Sequence, residues 1–113
     1  MKTHILRFRA VNRDTFQAIK SGNKKVETRA ATSKNIKIQL GDILKFVCGK
    51  ESFEKKVTTI KHFKTIKALL KEYKPQEINP KLKTAAETIN MYYSFPKYRD
   101  KIKEFGLIAF DLK

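Results

Sequence analysis

An α+β fold with a β-barrel core of about five or six strands, and helices inserted at the ends of that barrel, is the class this sequence predicts. Three observations lead there. Short runs with apolar residues at every second position recur along the chain, and glycine-led turns such as Gly41-Asp42 separate them. Between these runs lie segments whose apolar residues recur at helical spacing, opened by Asn or Thr and closed by Gly or Pro. The composition, 41% hydrophobic with eight Phe and four Tyr, supports a packed core.

Taken in order, Thr3 to Phe8 is an opening strand in which Arg7 and Arg9 point one way. Asn12 is placed to cap a helix starting near Arg13, with Val11 and Phe16 at staple spacing and Phe16 and Ile19 on its apolar face. Gly22 follows the last turn, where a left-handed residue ends a helix at least cost. Residues 30–35 lack a period and read as a surface loop, and Ile36, Ile38 and Leu40 then alternate before the Gly41-Asp42 turn. Ile43 to Cys48 and Phe53 to Phe63 are strands joined as a hairpin through Gly49 to Ser52.

Thr65 caps the next helix, carried by Ile66, Leu69, Leu70 and Tyr73, and Pro75 marks its end. Gln76 to Asn79 is expected to be irregular, with Ile78 as its anchor and Glu77 exposed. Thr84 and Glu87 have the spacing of a capping box, so Glu87 is read as a cap; Ala85, Ile89 and Tyr92 form the face of the helix that follows. Ser94-Phe95-Pro96 breaks that helix, Tyr98 to Glu104 makes a further short one, and Leu107 to Leu112 closes the chain as a strand. No linker, repeat or low-complexity tract divides residues 1–113, which read as a single domain.

The formal net charge is +15, from 26 basic against 11 acidic residues, and such a field favours polyanions such as RNA, DNA or an acidic surface. Of the basic residues 21 are Lys, which contact phosphate as point charges and supply affinity with little readout, so binding through them should be strongly salt-dependent. Cys48 has no partner for a disulfide and sits in an apolar run, as a small core residue does. His4 and His62 are isolated strand residues, and with no Cys or His cluster no metal site and no cofactor are expected. No run is long enough to span a membrane and the first residues lack the apolar stretch of a signal peptide, so the expected location is the cytoplasm, with no membrane partner.

The densest chemistry lies in Gly22-Asn23-Lys24-Lys25-Val26-Glu27-Thr28-Arg29. As a strand, this stretch places Lys25, Glu27 and Arg29 on one face and Val26 and Thr28 on the other, with Lys24 at the entrance. Gly22, Lys24, Glu27 and Arg29 fit the pattern G-x-K-x-x-E-x-R, and in this the chain resembles the ASCH domain family, small domains similar to the PUA fold that binds RNA. The order of elements resembles that family over nearly the whole chain.

The resemblance implies a PUA-like barrel, and its functional implications run in two directions. Some ASCH domains remove the acetyl group of N4-acetylcytidine with the signature Lys, a Thr and a Glu from a later loop; Lys24 matches the first, Glu77 by position the third, and Glu27 stands where those enzymes carry Thr. Thr28 is adjacent but expected on the opposite face. Others are linked to metal-independent RNA cleavage, for which Lys24, Glu27 and Arg29 form a chemically sufficient set. From the residues themselves three readings stand side by side. The cluster is a structural ion pair; or Lys24, Lys25, Glu27 and Arg29 bind RNA or a nucleotide-derived ligand in a cleft beside the strand, with Tyr92, Tyr93, Phe95 or Tyr98 as stacking partners; or Lys24, Glu27 and Glu77 catalyse hydrolysis of such a ligand.

Overall fold

The computed structural model describes residues 1–113. Its centre is a hairpin whose first strand alternates without a break: in β3 (Ile43–Cys48), Leu44, Phe46 and Cys48 are buried while the residues between them are half-exposed. A two-residue turn at Gly49 and Lys50, with Cys48 paired to Glu51, leads into β4 (Glu51–Phe63), two residues earlier than the sequence suggests. β4 is long enough to serve two neighbours. Its first half pairs with β3, and beyond a register shift between Val57 and Thr59 its second half pairs with β5 (Leu107–Leu112). Such an irregularity bends a strand and sharpens its twist, which curls the sheet.

β1 (Thr3–Arg7) joins β3 in parallel, and β2 (Val26–Ala30) joins β5 antiparallel, giving the order β1-β3-β4-β5-β2. The result is a curled, five-stranded half-barrel whose edge strands β1 and β2 are not hydrogen-bonded to each other. A sixth strand does not form. Ser33–Ile36 is instead a short helix, α2, which leaves Ile36 and Leu40 exposed and only Ile38 of the alternating trio in the core. Buried Asn35 explains the change, because its side-chain amide donates to the Ala30 carbonyl at 2.8 Å and folds the segment back on β2.

One core fills the inside of the curl and is built on Leu6, Phe16, Ile19, Leu44, Phe46 and Phe110; it includes Cys48, as expected. Phe16 and Ile19 come from α1 (Arg13–Ser21), which ends at Gly22 with φ 89° and the Gly22 amide bonded to the Ile19 carbonyl. The N-terminal end differs from expectation: a 3₁₀ turn over Ala10–Asn12 precedes the helix, Asn12 makes no side-chain cap, and Val11 is exposed rather than stapled to Phe16.

A second core lies on the other side of β2 and β5, where Val26, Leu107 and Ala109 meet the remaining helices. These are α3 (Ile66–Glu72), capped by Thr65 as expected, α4 (Pro75–Ile78), α5 (Ala85–Ser94), capped by the Thr84 and Glu87 box, and α6 (Tyr98–Phe105). Pro75 opens α4 rather than ending α3, since proline's missing N–H costs nothing in a first turn. Residues 76–78 are therefore helical. On α5 the buried residues are Thr88 and Tyr92, one turn apart, while Ala85 and Ile89 of the expected face are exposed.

Candidate functional site

β2 is an edge strand, so some of its backbone groups need partners other than β5. Side chains supply them. Lys24 Nζ donates to the Val26 carbonyl, the Thr28 amide donates to Glu27 Oε1 at 3.1 Å, and the Ala30 amide donates to the Tyr98 hydroxyl at 3.3 Å. Two residues of the signature thus dress the strand that carries it. The Gly22 turn delivers Lys24 to this position, and the Lys24 amide is fixed to the Ala18 carbonyl at 3.0 Å.

Lys24 and Glu27 are 3% and 4% exposed, a burial that ionised groups tolerate only when paired. Lys24 Nζ lies 3.4 Å from Glu27 Oε1, and Arg29 grips Glu27 Oε2 with Nε at 3.2 Å and Nη2 at 3.1 Å. Burial lowers the pKa of Lys24, a shift that Glu27 opposes and Arg29 reinforces. Burial works to raise that of Glu27, but Lys24 and Arg29 together outweigh it and hold the carboxylate below its ordinary range. The two groups therefore differ in what they can do: Glu27 is locked as an anion, whereas Lys24 is pushed toward the neutral amine.

The cluster forms part of a cavity of about 330 Å³ at the open seam of the half-barrel. Both edges contribute to it: Arg7, Phe8 and Arg9 from the end of β1, and Glu27, Thr28 and Arg29 from β2. The Arg29 guanidinium lies 5.2 Å from the centre of the Phe8 ring and so links the two edges across the gap. Ile78, Asn79, Tyr92, Phe95 and Tyr98 supply the opposite wall, where the Tyr92 and Tyr98 rings are parallel with centres 6.5 Å apart. Asn79 is anchored through Nδ2 to the Thr15 hydroxyl at 3.3 Å, which ties the α4–α5 connection to α1. The wall carries four cations, Arg7, Arg9, Lys24 and Arg29, against the single carboxylate of Glu27.

The structure brings together three of the four signature residues and separates others from them. Lys25 is exposed, lies outside both β2 and the cavity lining, and does not join Glu27 and Arg29. Glu77 is also outside the cavity, because its carboxylate turns back to accept the Lys74 amide at 2.9 Å and cap α4. Thr28 corrects the expectation drawn from alternation. Its side chain does leave Glu27's face, but because β2 is an edge the cavity reaches round it, and the Thr28 hydroxyl bonds that of Tyr92 at the wall. Tyr92, Phe95 and Tyr98 line the cavity and Tyr93 does not.

Phe8, Asn12, Thr15 and Asn79 are cavity residues that sequence reasoning did not assign. Of these only Asn79 carried a local signal, through its place between Ile78 and Pro80 in the connection beside Glu77. His4 serves the fold: its Nε2 meets Asp42 Oδ2 at 2.8 Å, and no group of three His, Cys, Asp or Glu side chains is placed to hold a metal ion.

Two solved structures share this fold over nearly their whole length. All of the chain aligns with 98% of the crystal structure of hypothetical protein PH0355, at 26% identity and a TM-score of 0.84. It also aligns in full with 96% of the solution NMR structure of protein PF0455 from Pyrococcus furiosus, at 23% identity and a TM-score of 0.73. No protein-family model and no curated protein matches the chain.

Proposed function

We propose that this chain is an ASCH-type, PUA-like domain that binds RNA or a nucleotide-derived ligand in the cavity beside Lys24 to Arg29. The observation that carries the reading is the combination of cations and rings around one opening: Arg7, Arg9 and Arg29 for phosphate and the half-buried rings of Phe95 and Tyr98 for a base, with buried Tyr92 behind them. The volume, about 330 Å³, falls at the lower end of ligand pockets and suits a single nucleotide unit rather than a duplex. Arg29 uses Nε and Nη2 on Glu27, which leaves Nη1 for an incoming anion. Glu27 holds that guanidinium in place and accepts no further role easily, since both its oxygens already have donors.

Arg29→Ala is expected to weaken binding of a short RNA oligonucleotide about tenfold, the order of one charge-assisted contact, and to flatten the dependence of affinity on salt. Lys24→Ala should weaken it too, whereas Glu27→Ala should change it mildly or tighten it. If the Lys24 and Arg29 variants both keep the wild-type affinity and salt slope, the cavity is not where RNA binds.

Hydrolysis of such a ligand is the second reading, and one observation favours it: a lysine pushed toward its neutral form and a threonine hydroxyl line the same cavity. In that case, on N4-acetylcytidine, Lys24 takes the proton as the Thr28 hydroxyl or a water attacks the acetyl carbon and returns it to N4 as the C–N bond breaks. Cytidine and acetate are released, the latter after a water hydrolyses the acetyl-Thr28 ester where threonine attacked. Glu27 positions Lys24 without itself acting as base. Mass spectrometry after incubation with N4-acetylcytidine or a mixed-sequence RNA tests this. A product formed by wild type and absent with Lys24→Ala supports an enzyme, and unchanged substrates leave the binding reading.

A further inference from the structure

α5 has a buried face and an exposed apolar one. Thr88 and Tyr92 pack inward, and Tyr92 reaches the cavity; Ile89 and Tyr93, also one turn apart, face solvent at 36% and 45% exposure. An aromatic and a β-branched residue paired on the outside of a short helix thus leave more than a third of their surface in water. Their surroundings explain what they suit. Ile89 and Tyr93 line a shallow groove between α3, α5 and α6 whose remaining rim carries Lys64, Lys67, Arg99 and Lys103, with no acidic side chain among its lining residues. The Arg99 guanidinium lies 5.2 Å from the centre of the Tyr93 ring, which steadies the ring and leaves an aromatic and cationic surface together.

This groove and the cavity lie back to back across one turn of chain. Tyr92 and Tyr98 belong to the cavity, together with Ser94, Phe95 and Pro96 of the turn between their helices, and their sequence neighbours Tyr93 and Arg99 belong to the groove. We propose that the groove is a second nucleotide subsite, in which a single-stranded RNA stacks a base on Tyr93 and sets its phosphates against Lys64, Lys67 and Lys103. The inference rests on the nucleotide-binding reading of the cavity and extends it, because a chain that spans both sites must be a polynucleotide rather than a free nucleoside. Stacking platforms flanked by cations are the general means of holding single strands without sequence preference. A duplex would not fit this account, since its bases offer no free faces to Tyr93.

The test uses the full chain with two probes, a fluorescent oligouridylate of about twelve nucleotides, long enough to exceed one single-strand binding module's smaller site sizes, and uridine 5′-monophosphate. Tyr93→Ala is expected to weaken the oligonucleotide about tenfold, as removal of one stacked base does, and to leave the mononucleotide unchanged. Tyr93→Phe should restore the affinity, which a hydroxyl-dependent structural role would not. The double variant Lys64→Ala/Lys67→Ala should reduce the slope of log affinity against log salt by roughly 0.7 for each phosphate that is no longer neutralised. The proposal is overturned if these variants keep wild-type oligonucleotide affinity and slope, or if Tyr93→Ala weakens both probes alike. A wild-type protein that holds the oligonucleotide through Tyr93 but ignores the mononucleotide would keep the groove and remove the cavity reading alone.

Discussion

Glu27 is the residue on which the site's electrostatics turn. Its carboxylate balances two cations, one of them as buried as itself, so removing the charge strands Lys24 in a dry place. Glu27→Gln is expected to destabilise the fold by about 3 kcal/mol at pH 7, read from urea unfolding, a size set by the breaking of a buried pair. The pH dependence has a defined sign. The carboxylate's folded pKa is lowered, so its contribution is present above the unfolded value near 4.5 and is lost as pH falls through the folded value; the Gln variant lacks this acid limb. Lys24 is also lowered, so between its folded value and 10.5 the unfolded chain holds more protons and stability rises with pH; without Glu27 that rise begins at lower pH.

Asp42 makes a matching case far from the cavity. It accepts the Gln39 amide at 3.0 Å, the Lys2 amide at 3.0 Å and His4 Nε2 at 2.8 Å, and these bonds, in that order of effect, hold its pKa well below the carboxylate range. Asp42→Asn should lower the melting temperature at pH 7, and the gap to wild type should narrow as the pH falls below about 4. In the sequence Asp42 was only part of a turn, because its partners Lys2 and His4 lie just before and within the neighbouring strand of the parallel β1–β3 pair, 40 and 38 residues earlier in the chain.

Among elements, those whose signals are local were legible. Thr65, the Thr84 and Glu87 box and Gly22 each bond within their own helix or its end, and the structure places all of them as the sequence suggests. Elements decided by distant contacts were not. α2 depends on Asn35 reaching Ala30, and the buried face of α5 depends on which side the sheet lies. The two helix-ending glycines show the same division. Gly22, at φ 89°, has open space where a Cβ would go, so Gly22→Ala should cost about 1 kcal/mol, for the left-handed backbone alone. At Gly106, φ 77°, a Cβ would stand 2.5 Å from the Phe63 carbonyl oxygen, at the end of the β4–β5 pairing. Gly106→Ala should therefore cost about 3 kcal/mol or more, and chemical denaturation of the two variants side by side checks the difference.

At the level of the whole molecule, the curl of the sheet makes the site. A strand of thirteen residues bent near Thr58 carries β1 and β2 round toward each other without closing, and the seam collects residues as far apart in sequence as Arg7 and Tyr98. The signature in β2 was visible because its residues are neighbours in the chain. Tyr92, Phe95 and Tyr98 stood among four candidate rings but could not be told from Tyr93, and Phe8 was not assignable, because only the register of five strands decides what faces β2. The charge of +15 acts at this scale as well, and it would draw polyanions to the surface whether or not the seam holds them. Separating those two effects requires a view of every residue at once.

That view comes from amide chemical-shift changes, recorded by heteronuclear NMR, as uridine 5′-monophosphate is added to the wild-type protein at physiological salt. Saturable shifts concentrated at Phe8, Glu27, Thr28, Arg29, Asn79, Tyr92 and Tyr98 are the predicted result. Shifts that spread over the exposed lysines, disappear with added salt and leave those seven amides unmoved would contradict a nucleotide site at the seam.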